Sequence, residues 1–171
     1  MSIVESGARA VADVLEVDVE ERYNEVRDWL QIPGDSLHDR EVMIERLNEA
    51  ASVALLAHGL YLKVRRACMA KRLKLLGGVR ELKRKATLRI KDWQDMNGGG
   101  KALSDKMIEE EILGSPTLSE PYATIQDEVE QLTGVEEAFH ELWQRARGRE
   151  TLLQTQKSAA FPDKMVTIEA K

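Results

Sequence analysis

The chain has 171 residues, of which 43% are hydrophobic, 32% are charged and only 5% are aromatic. A chain of this length can bury a core without disulfide bonds. Its single cysteine excludes a disulfide framework and a cysteine-based zinc site. No run approaches the length of a transmembrane helix, and the first residues lack the basic and apolar regions of a signal peptide. We therefore expect a cytoplasmic protein.

The net charge of −5 conceals a strong asymmetry along the chain. Residues 57–95 hold 12 basic and 3 acidic side chains, a net of +9, whereas the segments before and after them carry −8 and −6. A basic centre between acidic flanks suggests a polyanion as the partner. A solvated helix face paired with acidic neighbours explains the same count, and composition alone does not separate the two.

Helical periodicity begins near the N-terminus, and residues 5–31 are predicted to be helical. One apolar stripe contains Val19, Tyr23, Val26 and Leu30, at spacings of 4, 3 and 4. Residues 32–36 form a predicted turn. The next helix is predicted over 36–76. Its first seam, spaced alternately by 3 and 4, consists of Leu47, Ala50, Ala54, Ala57, Tyr61, Val64 and Cys68.

Gly77-Gly78 is predicted to interrupt this helix as a kink or a loop, because glycine is a poor helix former. Helicity resumes over 79–97. The apolar side of this segment includes Trp93, which we interpret as a core anchor. The opposite side and the flanks carry six basic side chains that suit phosphate binding: Arg80, Lys83, Arg84, Lys85, Arg89 and Lys91. The low aromatic content argues against base-specific recognition by an RRM or OB fold.

Asn97 to Gly100 is a predicted loop, and Ser104 is predicted to begin a short helix over 103–113. After a turn at 114–116, a second seam runs through a last helix over 118–156. We expect this seam to drive homo-oligomerisation, because it is too long and apolar for one chain to cover. Its predicted contact residues are Tyr122, Ile125, Val129, Leu132, Val135, Phe139, Leu142 and Leu153. The fold class is therefore all-α, with long helices in a hairpin-like core.

Catalytic and cofactor motifs are absent from the sequence. The glycines before Lys101 do not make a phosphate loop, because Asp95 and Ala102 stand where that motif needs glycine and Ser/Thr. His140-Glu141 is not a zinc-protease motif, since Gln144 stands where the second histidine is needed. Cys68 lies on the first seam, which favours a packing role. We predict a protein that is not an enzyme and that has no cofactor and no metal site.

The order of these elements resembles the UvsY recombination mediators of tailed phages. The similarity covers roughly residues 46–157. It is carried by Leu47 to Ala51 on a long helix, by the basic end from Leu88 to Trp93, by the glycine-rich loop and by the last helix with Arg145 to Arg149. The resemblance implies a ring-like homo-oligomer that binds single-stranded DNA. It also implies loading of a RecA-like recombinase onto strands covered by single-strand-binding protein, in the cytoplasm of a host cell.

The family carries a basic pair near the end of its long helix that contributes to DNA binding, and Arg89 and Lys91 match it here. We predict a division into an acidic helical segment at 1–34, a core at 35–157 that binds DNA and oligomerises, and a flexible tail at 158–171. A phage scaffolding or assembly protein built on helical oligomers is the alternative, because it would also be helical and acidic overall.

Overall fold

A computed structural model describes residues 17–31, 39–100 and 102–162. These residues form four α-helices and no strand, which confirms the all-α prediction. The helices are α1 (Val17–Gln31), α2 (Arg40–Asn97), α3 (Asp105–Gly114) and α4 (Pro116–Ala160). The part of the first predicted helix before residue 17, the predicted turn at 32–36 and the part of the predicted tail after residue 162 lie outside the described residues.

The predicted helix boundaries are accurate where a capping residue or a glycine marks them. Ser104 caps α3, since its side chain accepts a hydrogen bond from the backbone N–H of Met107. Gly98 follows α2 with a φ of 67°, a conformation that favours glycine. Pro116 is the first residue of α4, where its missing N–H is tolerated. The chain thus leaves the helix close to both predicted turns, but Asn97, Gly114 and Pro116 are themselves helical and Ser115 alone separates α3 from α4.

The chain divides into two compact units, and the first contains residues 65–135. In this unit the end of α2 runs antiparallel to the beginning of α4. Lys71 pairs with Glu128 at 3.9 Å, whereas Arg89, further along α2, donates a hydrogen bond to Thr117 at 3.0 Å. The hairpin-like arrangement predicted from the sequence is thus present within this unit. Its main core cluster holds Leu82, Ala86, Ile112 and Leu118, packed against Ile108, Tyr122 and Ile125.

The second unit contains α1, the beginning of α2 and the end of α4. The ring centroids of Tyr23 and Phe139 lie 4.9 Å apart, and the Arg149 guanidinium lies 4.2 Å from the Trp29 ring centroid. The predicted apolar stripes are confirmed in both units. Their fully buried members are Val19, Ala50, Ala57, Val64, Cys68 and Leu132, each 0% exposed, and Val26 is 1% exposed.

Helix α2 is continuous through Gly77 and Gly78, so a loop at these glycines, one of the two predicted alternatives, is wrong. Glycine lowers helix propensity, but a break would sacrifice the backbone hydrogen bonds of a turn between two strongly helical segments. The close approach of α4 explains why a glycine stands at position 78 inside this helix. A Cβ added to it would lie 3.0 Å from Ile125 Cδ1, so glycine admits close packing of α4.

The second seam is packed within the single chain. Leu132 is 0% exposed, and Val135, Phe139 and Leu142 are also buried. The remaining predicted oligomerisation residues, Tyr122, Ile125, Val129 and Leu153, are half-buried. The premise that one chain cannot cover this seam is therefore wrong, because α1, α2 and α3 supply apolar surface against α4. The homo-oligomer itself stays a prediction and needs another contact surface.

Candidate nucleic-acid interface

Packing in the first unit fixes which face of α2 is exposed between residues 80 and 91. Leu82 and Ala86 are 7% and 0% exposed and belong to the core cluster. Side chains follow one another by about 100° around a helix. Arg84 therefore points away from the side that Leu82 and Ala86 bury, and Lys83 and Lys85 lie on its flanks. Five of the six predicted DNA-binding residues are exposed and Lys83 is half-buried. The exposed ones are Arg80, Arg84, Lys85, Arg89 and Lys91.

Three of these cations are available to a ligand. Arg80, Lys83 and Lys91 form neither a hydrogen bond nor an ion pair through their side chains with any residue of the described part of the chain, whereas Lys85 interacts electrostatically with Glu81. The stretch from 82 to 91 contains no acidic residue. The three cations are distributed over about 16 Å of helix and within about 80° of arc. A phosphate backbone can therefore meet several positive charges along one short segment.

Arg84 is partly neutralised by Glu81 on the preceding turn. Its Nε and Nη2 atoms donate hydrogen bonds to the two carboxylate oxygens of Glu81 at 2.9 and 2.7 Å. Hydrogen bonding by Arg84 holds the pKa of Glu81 below its ordinary value, and Glu81 raises the pKa of Arg84 in turn. Both side chains are well exposed, so solvent and salt weaken this pair. A phosphate competes with Glu81 for the same guanidinium.

Arg89 holds the turn between α3 and α4. Its guanidinium donates hydrogen bonds to the hydroxyls of Ser115 and Thr117, and its Nη1 lies 3.8 Å from Glu111 Oε1. The side chain is still 47% exposed. Lys91, two residues later, lies about 160° further around the helix. The basic pair implied by the family resemblance is thus divided between the α3–α4 turn and the outer face, and the two cations cannot hold one phosphate together.

Trp93 is 62% exposed, so its interpretation as a core anchor is wrong. Periodicity places it on the apolar side of α2, but Arg89 already contacts the residues at the beginning of α4. Trp93 lies one turn beyond that level, where α4 has not yet begun. Periodicity identifies a face of a helix and does not show how far the neighbouring helix extends along it.

The other residues singled out in the sequence have ordinary structural surroundings. Cys68 is fully buried, as a packing role requires. His140 lies among aromatic side chains, with its ring centroid 5.1 Å from that of Tyr61 and 5.6 Å from that of Trp143. Among the described residues no cluster of His, Cys, Asp and Glu is suited to hold a metal ion. None of the helices described is long and apolar enough to cross a bilayer.

Sequence reasoning missed the residues that position Arg89, because Glu111, Ser115 and Thr117 lie 22 to 28 residues away along the chain. No local pattern marks such a contact. No family model matches the chain, and no curated protein or solved structure is significantly similar to it. The similarity to the UvsY mediators accordingly stays a prediction that depends on the residues quoted for it.

Proposed function

We propose that the chain binds single-stranded DNA through the basic face of α2 and acts as a recombination mediator. The observation that carries this proposal is the group of three unpartnered cations, Arg80, Lys83 and Lys91, within about 80° of arc on one segment of α2. Lysine and arginine bind phosphates without reading bases, so the binding is independent of sequence. The preference for single strands over duplex comes from the family resemblance alone.

In the proposed mechanism the chain holds a strand extended along α2 and releases counterions from its phosphates. Single-strand-binding protein binds the strand less tightly in this extended form. The strand is then passed to a RecA-like recombinase. Binding energy drives the exchange, with no hydrolysis by this chain. In a homo-oligomer, which we retain as part of the proposal, the basic faces of several copies would form a longer track.

The salt dependence of binding to a labelled oligonucleotide tests this proposal. If a strand contacts all three cations, the slope of log K against log salt is about −2, since each neutralised phosphate of a single strand contributes about −0.7. Affinity should then fall roughly twentyfold between about 50 and 200 mM salt. Fluorescence anisotropy measures both quantities, and a duplex of the same sequence should bind more weakly.

A matched pair of double variants identifies the surface. Lys83→Gln with Lys91→Gln should flatten the slope by about 1.4, because two phosphate contacts are lost. Lys106→Gln with Lys157→Gln removes the same charge from α3 and α4 and should leave the slope unchanged. No binding at about 50 mM salt would refute the DNA proposal and favour the scaffolding alternative.

Recombinase loading needs its own measurement. On a strand coated with single-strand-binding protein, adding the chain should shorten the lag before the DNA-dependent ATPase of a RecA-like recombinase appears. The Lys83/Lys91 double variant should shorten this lag less. An unchanged lag, in the presence of normal DNA binding, would contradict the mediator role and leave a DNA-binding protein.

A further inference from the structure

A second row of side chains on α2 faces solvent in the first unit. We name it the outer seam, and its spacings of 3, 4, 3 and 4 are those of a coiled-coil interface. It consists of Arg66, Met69, Leu73, Leu76 and Arg80. These five fall within about 80° of arc, on the side of the helix opposite to Val64 and Cys68, which are both fully buried.

The apolar members of the outer seam are conspicuously exposed. Met69 is 51% exposed, Leu73 is 68% exposed and Leu76 is 49% exposed. Isolated exposed apolar side chains are common, but three in register over two helical turns are a continuous patch. Gly77 lies beside them with no atom within 4 Å of a Cβ added there, so the backbone of another helix can approach closely.

The charge around the outer seam indicates what kind of helix fits it. Residues 50–80 contain seven Lys and Arg and no acidic residue. Arg66, Lys74 and Arg80 form no side-chain hydrogen bond or ion pair with any described residue, in contrast to Lys71, which is paired with Glu128. The patch therefore has a cation at each end and a third on its flank, all three without a counter-charge in the described part of the chain.

The same charges disfavour pairing of the outer seam with itself. In an antiparallel pair of copies, Arg66 of one chain would meet Arg80 of the other, and in a parallel pair each arginine would meet its own counterpart. Like charges that face each other across a helix pair are destabilising, and charge pairs of this kind set partner choice in coiled coils. A partner with carboxylates at these positions is required.

We propose that the outer seam docks an acidic amphipathic α-helix of a partner protein. Apolar side chains of that helix, at spacings of 3 and 4, pack over Met69, Leu73 and Leu76, and its carboxylates pair with Arg66, Lys74 and Arg80. This surface goes beyond DNA binding and lies mostly N-terminal to the basic face. Arg80 belongs to both surfaces, so a docked acidic helix competes with DNA for this one cation.

A synthetic peptide of three heptads tests the proposal on the full chain. It carries leucine at both core positions and glutamate at the flanking positions, and a control peptide carries lysine in place of each glutamate. The acidic peptide should bind saturably and the basic one should not. Leu73→Gln should weaken binding about tenfold or more, because one large apolar contact is lost. Leu152→Gln, at a leucine that is 57% exposed in the second unit, should have no effect.

Charge reversal gives a positive test that does not depend on loss of binding. Arg66→Glu with Arg80→Glu should abolish binding of the acidic peptide and create binding of the basic one. Circular dichroism checks that each variant keeps its helix content. Binding of a labelled oligonucleotide to Leu73→Gln should equal that of the unmodified chain, which separates this surface from the proposed DNA site.

Three outcomes would overturn the inference. The first is equal binding of the acidic and basic peptides, and the second is an unchanged affinity in Leu73→Gln. The third is loss of self-association in Leu73→Gln during sedimentation, which would assign the outer seam to a second copy of the chain.

Discussion

Leu132→Ala tests whether the second seam packs within one chain. Leu132 is 0% exposed in the middle of α4, so the substitution removes fully buried methyl groups and leaves a cavity. Such changes lower the free energy of unfolding by about 2–5 kcal/mol. For a chain of this size, a loss near 3 kcal/mol corresponds to a Tm about 6–12 °C lower. Urea denaturation and a thermal melt measure the two quantities.

Leu152→Ala is the matched control on the same helix. Leu152 is 57% exposed, so its truncation should change the free energy of unfolding by no more than about 0.5 kcal/mol. Sedimentation of both variants should give the particle size of the unmodified chain. If Leu132→Ala instead splits an oligomer into stable monomers with an unchanged free energy of unfolding, the seam is an interface between copies and its packing within one chain is refuted.

Two further substitutions test the interface and the α3 cap. Glu81→Gln should tighten binding of single-stranded DNA by up to about fivefold at low salt, because it releases Arg84 from its ion pair; Glu109→Gln on α3 is the control, and fluorescence anisotropy is the assay. Equal affinity would show that Arg84 does not contact DNA. Ser104→Ala should destabilise the first turn of α3 by about 0.5–2 kcal/mol, measured as faster amide exchange of Met107, whereas Ser119→Ala inside α4 should not affect it.

Helical periodicity predicted most of the fold. The alternation of 3 and 4 on α2 and α4 identifies which side chains are buried, and Ala50, Val64 and Leu132 are all 0% exposed. The same pattern does not say what covers them. A seam covered by the chain's own helices has the same spacing as one covered by a second copy, which is why the oligomerisation argument failed for residues 132–142.

The candidate site was predictable in its charges and not in its contacts. The six cations at 80–91 follow directly from the sequence, and the apolar anchors Leu82 and Ala86 indicate that most of them point outward. The engagement of Arg89 with Thr117 depends on where α4 begins relative to α2. The exposure of Trp93 has the same origin. The Arg89 contact and the exposure of Trp93 both depend on packing between segments that are far apart in the sequence. The periodicity of a single helix gives no information about such packing.

Gly77 and Gly78 offer a final test of how α2 is built. Both lie inside a continuous helix, where glycine is less favourable than alanine by about 0.5–1 kcal/mol. Gly77 has open space around its missing Cβ, so Gly77→Ala should raise the free energy of unfolding by roughly that amount. At Gly78 the new Cβ would meet Ile125 Cδ1 at 3.0 Å, against a side chain that already packs on the core cluster.

Gly78→Ala should therefore not show the rise in the free energy of unfolding that we expect for Gly77→Ala, because Ile125 must move within a packed environment to admit the new methyl group. Urea denaturation of the two variants side by side measures the difference, which we expect to be about 1 kcal/mol. Destabilisation by Gly77→Ala would mean that the backbone at this position is not helical. Equal stabilisation by both variants would mean that α4 does not approach α2 closely at Gly78. A clear difference in the expected direction would support both an unbroken α2 and close packing of Ile125 against it.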